Sequence, residues 1–161
     1  MTKSTRAICG ILLIICGVLW LKAAFIEFGG FYEDSAYDVV KNAVYYSEFT
    51  DGEAWPVVFA ALGSGVGTLI CLITVLIGSV KGTRIAAILS DASLAIAMIS
   101  VISELSGDST FREILKLFGF GFWGIFVLMI VVGVDCGGIT IDEARIARER
   151  QKADEAMRRL K

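Results

Sequence analysis

The chain has 161 residues, 56% of them hydrophobic, with 15 basic and 17 acidic side chains and no histidine. Apolar runs near twenty residues recur, about the length that crosses ~30 Å of hydrocarbon, so a soluble domain is excluded as the first reading. Near-balanced charge points to no nucleic-acid partner, and the missing histidine removes the commonest general base and a common zinc ligand.

The chain opens on a polar segment with Lys3 and Arg6, followed by an apolar run from Ala7 to about Phe28. A cleaved signal peptide is the competing reading. Bulky Leu21 and Lys22 sit badly before the Ala23-Ala24 pair, and Ile15 precedes Cys16 where a lipoprotein signal wants a small residue. Gly10, Gly17 and Ala24 recur every seven residues, as do Cys9, Cys16 and Ala23. Such spacing is a helix-packing seam, which a discarded signal does not need. A first span over about 7–28 is therefore expected.

Residues 28–54 form a polar connection with six acids and one base. Within it Ala36, Val39, Val40, Ala43 and Val44 follow amphipathic helical spacing, and Ser35 with Asp38 resembles a capping box. An outer helix is expected at about 36–48, on the membrane surface or capping the bundle. The acidic excess is a solvated face or a vestibule that concentrates cations.

The second span is expected at about 55–80 and the third at about 83–103, joined by a basic turn, Lys81-Gly82-Thr83-Arg84. Small residues mark one side of each. On the second they are Ala60, Ser64, Gly67, Cys71, Thr74 and Gly78, and on the third Ala86, Ser90, Ser93, Ala97 and Ser100, ending at Glu104. Steps of four and three place each set on one face, the geometry of shallow left-handed packing, and small residues are what lipid-embedded helices pack with. Gly63-x-Gly65-x-Gly67 lies inside this apolar span with no strand before it, so it is not a phosphate loop.

A short outer loop follows. Thr110 and Glu113 match a second capping box, leading to a fourth span at about 117–135 that Gly137-Gly138 closes. The tail, 139–161, starts on a third such box, Thr140 and Glu143, and from Ile141 carries seven bases and five acids. It reads as an exposed cytoplasmic helix with i,i+4 ion pairs such as Arg145–Glu149, able to dock on anionic lipid or a cytoplasmic protein partner.

Orientation comes from the bases. With four spans, Lys3, Arg6, Lys81, Arg84 and the tail share one side, so both termini are expected in the cytoplasm of a multi-pass cell-membrane protein. Trp20, Phe25, Phe28, Trp55, Phe59, Phe118, Phe120, Phe122 and Trp123 gather at the opposite interface.

Asp91 is the residue that stands out. It lies seven residues beyond Arg84, roughly 10 Å into the bilayer at ~1.5 Å per residue, where a carboxylate costs about 2.5–3.5 kcal/mol unless a partner or water receives it. Reflection about Gly82 and Thr83 brings Thr74 to its depth, with Cys71 and Ser93 one turn deeper. Asp91 is then either a packing hydrogen bond or a point on an ion path lined by Ser90, Ser93 and Ser100, with Glu104 at its mouth. The four cysteines, Cys9, Cys16, Cys71 and Cys136, show no C-x-x-C spacing and read as small apolar residues. The acidic neighbour Asp135 makes Cys136 a poor nucleophile. No metal and no cofactor are expected.

The fold class expected is all-α: a four-transmembrane-helix bundle over 1–138, with the outer helix and the charged C-terminal helix appended. The function expected is non-enzymatic. The small-residue seams exceed what one bundle needs, which points to a homo-oligomer or larger membrane complex, in its sharpest form a channel or pore. The alternative is an accessory subunit of a transporter docked through the tail. A membrane enzyme is disfavoured, because no pair among Asp91, Glu104 and the cysteines has catalytic spacing. The marks of familiar small four-span families are missing: the tryptophan and paired cysteines of claudin-like proteins, the mid-span glutamate of small multidrug transporters, and the thiol pair of quinone-reducing enzymes.

Overall fold

The computed structural model describes residues 1, 3–28, 32–44, 55–105 and 115–134, without the side chains of 28, 32, 33, 104 and 105. The end of the expected outer helix, the Glu104 side chain, the Thr110–Glu113 box, Asp135, Cys136, the Gly137-Gly138 stop and the 139–161 helix lie outside the described residues.

The chain is mainly helical. Helix α1 spans Lys3–Lys22, strands β1 and β2 span Ala24–Phe28 and Tyr32–Ser35, and α2 spans Ala36–Lys41. Helix α3 spans Trp55–Ile77 and α4 spans Val80–Leu105, and a shorter apolar helix, α5, covers Phe120–Val134. Of these, α1, α3 and α4 are long and apolar enough to cross a membrane, and α4 alone carries a charged residue, Asp91, in its interior.

The first expected span is too long at its outer end. Helix α1 stops at Lys22, with the Ala23 N–H donating to the Leu19 carbonyl at 2.9 Å as its last turn, and 24–28 is strand instead of helix. The reason is tertiary. The Glu27 N–H donates to the Leu117 carbonyl at 2.8 Å and the Gly119 N–H to the Phe25 carbonyl at 3.1 Å, while β2 pairs antiparallel on the other side. Strand β1 is thus flanked on both edges, and its backbone groups are satisfied without a helix. Gly119 permits this approach, since a Cβ there would press on the Ala24 carbonyl oxygen. Phe25 and Phe122, both buried, pack with ring centroids 5.3 Å apart, and Phe118 lies 4.4 Å from Phe122.

The Ser35–Asp38 box forms. The Asp38 N–H donates to Ser35 Oγ at 3.2 Å, and the Ser35 hydroxyl donates to Asp38 Oδ2 at 2.6 Å, satisfying an orphan donor of the first turn. Ala36 and Val39 are fully buried, with Val40 and Ala43 packed against the core, so α2 caps the helices.

The turn between α3 and α4 also differs from expectation. It lies at Gly78-Ser79, not over 81–84, whose residues form the first turn of α4. Gly78 is left-handed at φ 82°. Its N–H donates to the Val75 carbonyl at 3.0 Å and the Ser79 N–H to the Thr74 carbonyl at 2.8 Å, the paired closure that ends a helix on glycine. Ser79 then caps α4, its Oγ accepting from the Gly82 N–H at 3.2 Å. Two residues therefore close one helix and open the next.

That turn sets the register of the hairpin. A Cβ on Gly67 would lie 2.7 Å from Ser90 Cβ, one on Gly63 2.7 Å from Ser93 Cβ, and one on Gly82 2.9 Å from Thr74 Cγ2. Helix α1 joins α3 through Trp20, whose Nε1–H donates to the Ala61 carbonyl at 2.8 Å and whose ring covers Gly65. Helix α5 packs with Gly124 against Leu19 and Gly133 against Ala87.

Candidate functional site

The expected Thr74–Asp91 pair does not form. The turn at Gly78-Ser79 places Thr74 opposite Thr83, and their hydroxyls lie 3.0 Å apart. Cys71 joins them, its thiol donating to the Thr83 carbonyl at 3.4 Å. This cluster closes the hairpin near its turn.

Higher in the hairpin the small residues meet as a close-packed strip. Ala60, Ser64, Gly67, Cys71, Ala86, Ser90 and Ala97 are all buried, Ser93 is half-buried against Gly63, and Ser100 is half-buried. Gly78 faces Arg6, whose guanidinium lies over the turn. The α1 glycines behave differently. A Cβ at Gly10 or Gly17 would meet nothing within 4 Å, whereas Cys9, Leu13 and Cys16 are buried. The cysteine stripe, not the glycine stripe, is the inward face of α1.

Asp91 is half-buried. Its Oδ1 is shut off from solvent and has no hydrogen-bond partner among the described residues, and the same holds for the Oγ of fully buried Ser90. Asp91 lies within electrostatic reach of the Cys16 thiol across the helix packing. No group of three or more metal-ligating His, Cys, Asp or Glu side chains exists among the described residues.

On the outer side of the hairpin a groove with a cavity volume of about 420 Å³ runs between α3 and α4. Gly63, Gly67 and Gly82 form part of its floor, and Val66, Ile70 and Leu89 stand among its walls. Leu89 is 63% exposed. Spacing of small residues alone did not disclose this groove. The signal available was the Gly63/Gly67 pair, four residues apart on one face of α3 and flanked by bulky Val66 and Ile70.

No family model, curated protein or solved structure matches the chain. The fold and site therefore define only a class, a helical protein with three helices able to cross a membrane among its described residues.

Proposed function

We propose that this is a non-enzymatic multi-pass membrane protein, crossing the membrane four times, that assembles with copies of itself through the α3–α4 groove. The observation that carries the reading is the groove itself: a glycine floor between apolar walls on the open side of a hairpin. Helices in lipid associate where small residues let another backbone come close. The large exposed side chains of α3 and α4, such as Ile73, Leu76, Ile85 and Ile88, suit contact with acyl chains, which makes membrane lipid the default neighbour elsewhere. A pore-forming oligomer is the sharper form of the same reading. A larger complex docked through residues 141–161 is the alternative.

Leu89→Trp tests the reading. Leu89 stands on the groove wall and is mostly exposed, so the substitution fills the groove and leaves the core intact. Light scattering in mild detergent should show an oligomer for the parent protein and a monomer for the variant, with unchanged helicity. A monomeric parent, or a variant of unchanged size, overturns self-assembly through this groove. Removal of 141–161 should leave the oligomer intact; its loss would favour docking through the tail.

A further inference from the structure

We propose that Asp91 and Ser90 form a binding site for one small monovalent metal cation, of the sodium class, inside the helix packing. The site lies within a single chain, so it does not depend on assembly.

Charge is the first argument. Between Ala7 and Leu21, over Trp55–Ile77 and over Phe120–Val134 there is no Lys, Arg, Asp or Glu, and from Ile85 to Ser103 Asp91 is the one charged residue. The elements packed around it bring no countercharge. Helix α1 offers the Cys16 thiol, and neither α3 nor the described part of α5 carries a charged side chain. A carboxylate in that setting is costly unless a cation meets it.

Ser90 is the second and independent argument. Helical serines and threonines ordinarily donate to a carbonyl one turn back. Ser64, Thr68, Thr74, Thr83, Ser93 and Ser103 all do so here. Ser90 alone is fully buried with its hydroxyl unpartnered among the described residues, on the residue next to Asp91. A buried hydroxyl left without a bond is costly, and a ligand removes that cost.

The donor set selects the ion. Carboxylate and hydroxyl oxygens suit hard cations and not zinc or copper. One carboxylate balances one positive charge, whereas calcium sites gather several acidic oxygens.

The test uses the full-length protein in detergent, with sodium chloride exchanged for choline chloride at constant ionic strength. Sodium should raise the thermal midpoint by several degrees, because a ligand of the folded state stabilises it. Asp91→Asn should keep the helicity and lose the sodium increment. Ser90→Ala should shift the half-saturating sodium concentration upward by about tenfold, the loss of one ligand worth ~1.4 kcal/mol. A parent midpoint indifferent to sodium overturns the proposal, as does a full sodium response in Asp91→Asn. A midpoint that follows pH but not sodium overturns it in favour of a proton.

Discussion

Gly78 shows how much one residue decides. Its φ of 82° belongs to the left-handed region, which costs an ordinary L-residue roughly 1–2 kcal/mol. Gly78→Ala should destabilise the protein by about that amount, and a Cβ would also push the Arg6 guanidinium aside. Gly78→Asn separates the two effects. Asparagine tolerates the left-handed conformation yet still displaces Arg6, so its thermal midpoint should fall between those of the parent and the alanine variant. Equal midpoints for all three would show that the turn tolerates any residue.

Asp34 offers a second residue-scale test, on the β1–β2 sheet. Burial, and then the neighbouring Asp38 carboxylate, push its pKa above the usual 3.8. An acid whose folded-state pKa is raised contributes stability that is fully present below its ordinary value and lost as pH rises through the shifted one. The sheet should therefore loosen slightly as pH climbs from below 3.8. Amide exchange at Glu27 and Gly119, corrected for intrinsic rate, should read this, and Asp34→Asn should remove it. A parent slope that survives in Asp34→Asn would assign the effect to another group.

At the scale of elements, the α3–α4 hairpin is the most extensively packed pair, and its packing is steric at identified pairs. A Cβ on Gly63 would lie 2.6 Å from Ser93 Oγ, so Gly63→Ala should cost about 1–3 kcal/mol, the range for forcing a methyl into a packed site. Adding Ser93→Gly removes the obstructing side chain and should restore most of that loss. Chemical denaturation of the two variants in detergent decides it; a double variant no better than Gly63→Ala would place the strain elsewhere.

The same elements show what could be read from the sequence. The long helices α3 and α4 and the small-residue strip between them were legible, because lipid imposes length and small-residue spacing together. The turn lies four residues before the position that the bases at 81–84 suggest, at a glycine helix stop followed at once by a serine cap, Gly78-Ser79. Register across a hairpin is counted from its turn, so the shift pairs Thr74 with Thr83 instead of Asp91. Strand β1 was not legible at all. Phe25, Ile26 and Phe28 suit a strand and a helix end equally, and what decides between them is the 117–119 segment, some ninety positions later. Helix α1 illustrates a third case. Two seven-residue repeats ran along it, of glycine and of cysteine, and spacing could not say which one faces inward.

Charge is arranged on the scale of the whole molecule. Arg6 lies over the Gly78 turn, which brings the start of α1 and the α3–α4 turn to one end. Lys3, Arg6, Lys81 and Arg84 gather there without an acid among the described residues of that end, whereas at the other, around the sheet, Glu27, Asp34 and Asp38 are mixed with Lys22, Lys41 and Lys116. Bases in short loops are retained on the cytoplasmic side. This asymmetry supports a cytoplasmic turn at Ser79 and an external α2, and it can be measured. Cys9, Cys16 and Cys71 are buried, so in a Cys136→Ser background an added cysteine reports alone. With a membrane-impermeant maleimide on intact cells, Lys41→Cys should be labelled and Lys81→Cys, exposed on the first turn of α4, should be labelled only after permeabilisation. Labelling of Lys81→Cys on intact cells would invert the molecule, and the sheet end would then face the cytosol.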